Sequence, residues 1–376
     1  VGGKLTVNGG TIEHLGGTDM AYGIDNLTNG KGTYAETIIN GGTIKSPYRA
    51  VRQFLNGVEA QNILTVNGGT IEGANKSIWM QDPSKNANTG KLVVEAGAEL
   101  NGDVYLFVTE GSTEWPVEVS IADDAFEGES TLLSSNVPAG YEVVKKGGIW
   151  TVVKYTEVAT ADELVAALEA NKSVKFLNDI KIEPAAMSNA YGKTGINVKN
   201  GQTINGNGFT LNIKGAGGTW DSGINTTGGL IKNLTVTGSF RGIFINHTST
   251  HSEKVVLENV VVDGPTYTIS CDAAGKQGIE AYNSTFNGWT SYAGTIGTAK
   301  FVGCSFGKGA GYNFSRPYAP TEYVNCNFAK GHAIDARAKV TFENCTVNGV
   351  ALTADNLATL VVGGLNVRTR RKKRPF

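Results

Sequence analysis

The chain has 376 residues, of which 40% are apolar and 18% charged, and it contains 50 glycines but only 9 prolines. So much glycine beside so many apolar residues argues against disorder, and the lack of a strict glycine triplet excludes collagen. The net charge is −1, but the last nine residues, RTRRKKRPF, carry six cations, so the rest carries −7 and is poorly suited to nucleic acid as a main partner. No apolar run reaches the roughly 18 residues of a membrane span.

The first elements along the chain form a repeat. LTVNGGTIE occurs at 5–13 and again at 64–72, TIINGGTIK stands at 37–45, and the degenerate copy LVVEAGAEL begins at Leu92. Within each copy, alternating β-branched and polar residues predict a strand, NGG predicts a turn with positive φ, and a second strand follows. A later group of apolar residues in each copy predicts a third strand, so residues 1–110 are predicted to be a first β-solenoid.

Residues 111–154 are predicted to be a small antiparallel segment, because WPVEVSIADDAF and AGYEVVKKGGIWTVVK alternate as strands and KKGG is typical of a hairpin turn. A boundary is expected near Lys154. Thr160 and Glu163 then form a capping box ahead of an apolar stripe, which predicts a short helix. Such a helix would cover the open core of the next solenoid, although a partner-binding helix is the alternative.

A different repeat follows from residue 228. IKNLTVTG, LENVVVDG, AYNSTFNG, FVGCSFGKG, YVNCNFAKG and FENCTVNG align in one column, with steps of 26, 24, 20, 22 and 19 residues. The third position of this column holds Asn233, Asn259, Asn283, Gly303, Asn325 and Asn344. The asparagines are predicted to form a structural ladder in which each amide caps backbone groups and bonds to the amides above and below.

The two apolar positions after each asparagine are predicted to stack on their counterparts about 4.8 Å away, since one coil alone cannot bury its apolar face. Short bends leave no room for crossover helices, so a doubly wound sheet is excluded. The expected fold is an all-β parallel β-helix of roughly eight coils over 174–362, with Cys304, Cys326 and Cys345 aligned inside.

INGNGFTLNIKG (204–215), GGLIKNLTVTG and the ENCTVNG-type coils resemble the right-handed parallel β-helix superfamily with pectate-lyase-like repeats, over most of 174–362. The LTVNGGTI copies resemble bacterial and phage surface β-solenoids. The resemblance implies a right-handed parallel β-helix in two solenoid segments, with the second over 155–366. It leaves activity open, because the superfamily includes lyases, hydrolases, tailspikes, adhesins and scaffolds.

The basic tail, 367–376, is expected to be solvated or a cloning remnant; a processing signal and an anchor to a polyanion are the alternatives. The four cysteines form no CxxC pair. HTSTH (247–251) has the spacing of a helical metal pair, but its Ser and Thr content and its setting between coils predict a loop, so no metal and no cofactor are expected. YGKTG resembles part of a phosphate-binding loop, but Met187 stands where that motif needs glycine. The best catalytic cluster, His332, Asp335 and Arg337, has no paired aspartates in the coil before it.

Aromatic residues that interrupt the repeat are the candidate binding residues, since a ring beside Asn or Arg can stack on a sugar and bond its hydroxyls. They are predicted to lie in protruding bends: Trp220, Trp289, Tyr292, Tyr312, Arg316 and Tyr318. The alternative is that these rings only pack their own loops onto the solenoid.

The predicted function is therefore a non-enzymatic, extracellular structural or binding β-solenoid. It would be a surface adhesin or a phage fibre-type protein, at a cell surface or on a virion. Its expected partner is a glycan or another host or cell-surface component, with oligomerisation open. The alternative function is a polysaccharide lyase or glycoside hydrolase.

Overall fold

The structure is a computed structural model that describes residues 3–17, 20–82, 87–108, 112–134, 137–183, 185–186, 193–213, 221–246, 253–263, 266–271, 278–292, 297–307, 309, 312–363 and 367–370. The chain divides into two compact units, Val1–Lys154 (unit 1) and Tyr155–Phe376 (unit 2). Each unit is described by itself. No helix in the described ranges is long and apolar enough to cross a membrane.

Unit 1 is a stack of parallel coils, each with three short strands, so corresponding strands build three sheets named 1a, 1b and 1c. Sheet 1a contains β1 (Gly3–Val7), β4 (Tyr34–Ile39), β7 (Gln61–Val66), β10 (Thr89–Val94) and β13 (Val117–Ala122). Sheet 1b contains β2 (Thr11–Glu13), β5 (Thr43–Ser46), β8 (Gly69–Gly73) and β11 (Ala98–Asn101). Sheet 1c contains β3 (Tyr22–Thr28), β6 (Arg49–Leu55), β9 (Lys76–Asp82), β12 (Val104–Val108) and β14 (Leu132–Ser134).

The predicted repeat register of unit 1 is confirmed. Leu5 pairs with Thr37, Thr37 with Leu64, and Leu64 with Leu92, all in parallel strands. These are the first residues of the repeat copies identified in the sequence. Like positions therefore stack on like positions from coil to coil.

The NGG corner explains why the motif recurs. The second glycine of the motif has a φ of 93° at Gly42 and 89° at Gly69, in the left-handed region where a side chain is strained. A Cβ on Gly69 would also lie 2.5 Å from the carbonyl oxygen of Gly42. The asparagine of the motif forms a side-chain ladder, because Asn40 donates to Asn8 at 2.8 Å and Asn67 donates to Asn40 at 2.8 Å.

The small antiparallel segment predicted over 111–154 is antiparallel only in part. β13 pairs in parallel with β10, and β14 pairs in parallel with β12, so the solenoid continues to Ser134. The hairpin of β15 (Tyr141–Lys146) and β16 (Ile149–Val158) is antiparallel, and its turn has positive φ at Gly147 and Gly148. The start of β16 also pairs antiparallel with the end of β13, at Ile121 and Ala122. A 3-10 turn, Asp123–Ala125, lies between β13 and β14.

Unit 2 begins with the predicted helix α1 (Ala161–Glu169). The Thr160 hydroxyl accepts from the Glu163 amide at 3.3 Å, while the Glu163 carboxylate accepts from the Thr160 amide at 3.1 Å. Leu164, Ala167 and Leu168 are buried in the hydrophobic core of unit 2. The helix therefore caps the core, as the sequence predicts.

The rest of unit 2 is a longer stack of parallel coils with sheets 2a, 2b and 2c. Sheet 2a contains the end of β16 followed by β17 (Ser173–Phe176), β21 (Thr203–Asn205), β24 (Gly229–Lys232), β27 (Val255–Glu258), β30 (Ile279–Tyr282), β33 (Ala299–Val302), β36 (Thr321–Val324), β39 (Val340–Glu343) and β43 (Val367–Arg370). Sheet 2b contains β18 (Ile180–Ile182), β22 (Thr210–Ile213), β25 (Thr235–Thr237), β28 (Val261–Asp263), β31 (Thr285–Asn287), β34 (Ser305–Gly307), β37 (Asn327–Phe328), β40 (Thr346–Val347) and β41 (Val350–Ala351). Sheet 2c contains β19 (Ala185–Ala186), β20 (Lys193–Val198), β23 (Ser222–Thr226), β26 (Arg241–Ile245), β29 (Tyr267–Cys271), β32 (Trp289–Tyr292), β35 (Phe314–Arg316), β38 (Ala333–Asp335) and β42 (Val361–Gly363). A 3-10 turn, Leu357–Thr359, precedes β42.

The asparagine column of unit 2 lies at the bend between sheets 2a and 2b, and its backbone is left-handed. The φ values are 50°, 52°, 48°, 53° and 51° at Asn233, Asn259, Asn283, Asn325 and Asn344. Gly303, which interrupts the asparagines in the sequence, has a φ of 64°. Asparagine and glycine are the residues that tolerate this conformation best, so the backbone selects both.

The amide ladder predicted for this column is only partly present. Asn233 donates to Asn205 at 3.3 Å and Asn259 donates to Asn233 at 3.2 Å. Asn283, Asn325 and Asn344 are exposed, and within the described ranges their side chains form no hydrogen bond. The expectation that each amide caps backbone groups and bonds to the amides above and below is therefore wrong for these three residues.

The interior columns of unit 2 contain stacked thiols and rings. The thiols of Cys304, Cys326 and Cys345 donate to carbonyl oxygens of the preceding coil at 3.3–3.4 Å and are buried, as predicted. Side-chain hydrogen bonding to the two flanking thiols, together with burial, raises the pKa of Cys326. Rings stack beside them, with Phe306 and Phe328 4.9 Å apart at an angle of 13°.

The predicted basic tail begins as part of the solenoid. β43 pairs in parallel with β39, with Val340 beside Val367 and Glu343 beside Arg370. A wholly solvated tail over 367–376 is therefore wrong for its first four residues. Residues 371–376 lie outside the described ranges.

Candidate functional site

The outer face of sheet 2c carries a row of aromatic rings. Tyr267 pairs with Trp289 and Trp289 with Phe314, each in the neighbouring coil. The rings of Tyr267 and Trp289 stack with centroids 4.8 Å apart, and Phe314 meets Trp289 edge-on at 5.2 Å. Phe240 meets Tyr267 at 5.6 Å, so the row extends over successive coils.

Tyr312 completes this row from outside the regular strands. It forms two backbone hydrogen bonds with Gly309, of 3.0 and 2.6 Å, and its ring stacks on Trp289 at 5.7 Å. Its relative exposure is 40%, the highest among these rings. We call Phe240, Tyr267, Trp289, Tyr312 and Phe314 the unit 2 wall.

A charged cluster adjoins the unit 2 wall. The guanidinium of Arg316 lies 5.2 Å from the ring centroid of Trp289 and 5.1 Å from that of Phe314. Its Nε donates to Asp335 at 3.1 Å, while Arg337 donates to the same carboxylate oxygen at 3.0 and 2.7 Å. Two cations thus share one carboxylate, which leaves a net positive charge beside the rings.

The indole nitrogen of Trp289 is shielded from solvent and has no acceptor within the described ranges. An unpaired buried donor costs on the order of 1–3 kcal/mol, so native structures rarely leave one without a reason. A ligand or water acceptor at this position would remove that cost.

A polar chain lies behind the wall, inside the coil. Asn313 donates from Nδ2 to Lys330 at 3.2 Å, which turns its oxygen toward Nδ1 of His332 at 2.6 Å. His332 therefore bears its proton on Nδ1, and Nε2 accepts from Ser315 at 2.9 Å. The Ser315 oxygen accepts in turn from Thr290 at 2.9 Å.

This order of groups matches the arrangement that activates a serine nucleophile. Ser315 is 0% exposed and His332 only 1%, so no substrate reaches either side chain. Burial lowers the pKa of His332 to about 4, which keeps the ring neutral near pH 7. The chain therefore orders the strands beneath the wall, and its geometry gives no reason to assign it chemistry.

The predicted catalytic cluster is separated by the fold. His332 lies in the interior with Ser315, whereas Asp335 is occupied by Arg316 and Arg337. In the described ranges, no group of three or more His, Cys, Asp or Glu side chains is placed to hold a metal ion.

The predicted binding residues are only partly brought together. Trp289, Tyr312 and Arg316 meet at the unit 2 wall, while Tyr318 is exposed and, in the part of the chain described, makes no ring contact with them. Trp220 and the side chain of Tyr292 lie outside the described residues.

The prediction that all of these residues lie in bends is wrong for Trp289, Tyr292 and Arg316. Trp289 and Tyr292 lie on β32 and Arg316 lies on β35, both regular strands of sheet 2c. Sequence reasoning also missed Phe240, Tyr267 and Phe314. The signal that would have found two of them is the one-coil spacing of Tyr267, Trp289 and Phe314.

A family model described as a putative pectate lyase-like adhesive domain matches residues 155–269. The match covers helix α1 and the first coils of unit 2, and it ends within β29. No curated protein and no solved structure gives a significant match to the chain. The chain is thus a parallel β-solenoid in which the first part of unit 2 is similar to an adhesin-like domain.

Proposed function

We propose that this protein is a non-enzymatic adhesin that works outside the cell, on a cell surface or virion, and binds carbohydrate through the unit 2 wall. The observation that carries the proposal is the register of Tyr267, Trp289 and Phe314 on consecutive coils, with Arg316 beside them. Ring faces stack on the apolar faces of sugars, while guanidinium and indole N–H groups bond hydroxyls.

The similarity to a putative adhesive domain over 155–269 supports the adhesive role. The partner is a glycan, or another host or cell-surface component that carries one, because the acidic body of the chain suits nucleic acid poorly. The fold alone does not distinguish an adhesin from an enzyme, so the function rests on the wall.

The test is a glycan array with the wild-type chain and the double variant Trp289→Ala/Tyr312→Ala. Loss of two stacking faces, each worth on the order of 1 kcal/mol, is expected to weaken binding at least about tenfold. Val261→Ala, which trims a 37% exposed apolar side chain on sheet 2b, is the matched control and is expected to bind normally. Tyr312→Ala alone covers the case in which the double variant melts early.

The proposal is overturned if the double variant and Tyr312→Ala alone both bind as the wild type does. A second assay follows reducing ends and unsaturated products after incubation with polysaccharides. Product formation that Asp335→Asn abolishes would instead establish a lyase or hydrolase.

A further inference from the structure

Unit 1 has an aromatic surface of its own on the outer face of sheet 1c, far outside the matched range 155–269. Arg52, Trp79 and Tyr105 occupy one outward column, and Phe54 and Phe107 are in the next. Two further tyrosines and one further arginine complete this surface, which we call the unit 1 wall: Tyr22, Tyr48, Arg49, Arg52, Phe54, Trp79, Tyr105 and Phe107.

The rings of this wall contact each other across coils. Trp79 lies 5.1 Å from Tyr105 and 6.0 Å from Phe107, between ring centroids. All three side chains are half-buried, so each still presents part of its surface to solvent. A contiguous aromatic surface of this kind on a soluble protein commonly marks a binding site.

Arg49 is held among the rings by aromatic partners. Its guanidinium lies 3.0 Å from the ring centroid of Trp79 and 4.4 Å from that of Tyr48, and it donates to the Tyr48 hydroxyl at 2.8 Å. In the described ranges it forms no ion pair. Its positive charge is therefore fixed in place without a counter-charge.

The other cations of this surface are neutralised. Arg52 forms a two-point ion pair with Asp25, and Lys76 lies 3.3 Å from Asp103. Arg49 thus supplies the net charge of the wall. The net negative charge of the chain before its basic tail opposes an anionic ligand only weakly, because charges more than about 8 Å away are screened at physiological salt.

Two nitrogens of the unit 1 wall have no hydrogen-bond acceptor within the described ranges. They are Nε of Arg49 and Nε1 of Trp79, both shielded from solvent. The unit 2 wall contains the same combination, with Arg316 over Trp289 and an unpaired indole nitrogen. Donors without acceptors among ring faces suit a ligand that has both an apolar face and oxygen acceptors.

We propose that the unit 1 wall is a second, independent binding surface for a glycan chain that carries carboxylate groups. The sugar faces stack on Trp79 and Tyr105, and a carboxylate pairs with Arg49. Stacking on the rings and pairing with one fixed cation are both required, so a neutral glycan binds more weakly.

The experiment uses the full chain with Trp289→Ala/Tyr312→Ala as background, so that the unit 2 wall contributes nothing. Hyaluronan and polysialic acid are the acidic probes, and dextran of similar length is the neutral probe. The background protein is expected to bind the acidic chains, and more weakly when the salt is raised about tenfold. Adding Arg49→Gln or Trp79→Ala is expected to raise the Kd at least about tenfold.

The matched control is Lys91→Gln, which removes one cation from sheet 1a, where Lys91 pairs with Glu118. It is expected to leave the Kd unchanged. Arg49→Lys keeps the charge without the planar fork and serves if Arg49→Gln melts early; a smaller loss is expected.

The proposal is overturned if the background protein binds no acidic chain, or binds dextran equally well. It is also overturned if Arg49→Gln and Lys91→Gln have the same effect. Because the unit 2 wall is already disabled, these outcomes say nothing about the function proposed for that wall.

Discussion

Units 1 and 2 both repeat an asparagine once per coil, but the residue performs a different task in each. In unit 1, Asn8, Asn40 and Asn67 join their side chains in a ladder with bonds of 2.8 Å, and the glycine two positions later takes the positive φ. In unit 2, the asparagine itself takes the positive φ, and most of its amides stand free of the ladder. A repeated residue therefore reports either a side-chain contact or a backbone conformation, and only the geometry distinguishes them.

The largest effect is expected at the unit 1 corner, with Gly69→Ala. The left-handed φ of 89° costs the new side chain about 1–2 kcal/mol. Its Cβ also lies 2.5 Å from the backbone oxygen of Gly42, and such overpacking costs about 1–3 kcal/mol. We expect the free energy of unfolding to fall by about 4 kcal/mol in chemical denaturation.

Gly10→Ala is the matched control for this corner. Gly10 has the same motif and a φ of 82°, but no atom lies within 4 Å of its added Cβ. We expect a loss of only about 1 kcal/mol. Equal losses at the two glycines would show that stacking between coils does not restrict this position.

Acidification is expected to have the next largest effect, and to lower the stability of unit 2 more than that of unit 1. Unit 2 buries His332, while His14 of unit 1 is half-buried at the surface. The pKa of His332 in the folded chain, about 4, lies below the ordinary value of 6.5, so the unfolded chain binds the proton more readily. The stability that neutral His332 contributes is fully present above pH 6.5 and is lost as the pH falls toward 4. The full loss is about 3 kcal/mol.

Hydrogen exchange between pH 6.5 and about 4.5 is the measurement, since carboxylates titrate mostly below this window. Amides of unit 2 are expected to lose protection there, and those of unit 1 to keep it. His332→Gln is expected to remove the pH dependence. An unchanged pH profile in that variant would assign the effect to other groups.

The sequence predicts the solenoid, its register and its capping helix because each depends on a local or periodic signal. The capping box of Thr160 and Glu163 is local, and Leu5, Thr37 and Leu64 repeat the same motif. The direction of β13 was not predictable, because an alternating strand has the same pattern in a parallel and an antiparallel pair.

The unit 2 wall was only partly predictable for a related reason. The outward column of sheet 2c holds Tyr267, Trp289, Phe314 and Ala333. The column changes from aromatic residues to alanine, because an outward position is not required to match its neighbour above and below. Trp289 therefore interrupted the asparagine-based repeat and was assigned to a bend. The inward columns, whose residues must stack on one another from coil to coil, could be predicted from the sequence.

The smallest effects test whether the asparagine column of each unit depends on side-chain contacts or on backbone conformation. Asn325 is exposed, has a φ of 53° and makes no side-chain hydrogen bond within the described ranges, so Asn325→Ala loses only the tolerance for this backbone. We expect a loss of about 1 kcal/mol for Asn325→Ala and almost none for Asn325→Gly, since glycine adopts positive φ freely. Gly303, with a φ of 64° in the same column, already shows that glycine fits.

Asn40 is the counterpart, since its amide both donates to Asn8 and accepts from Asn67. Losing two exposed hydrogen bonds is expected to cost about 1 kcal/mol, whether the substitution is Asn40→Ala or Asn40→Gly. Glycine should therefore rescue position 325 and fail to rescue position 40, as measured by denaturant midpoints of the four variants. If Asn325→Gly is as destabilising as Asn325→Ala, the unit 2 column depends on its amides after all, and the contrast between the units disappears.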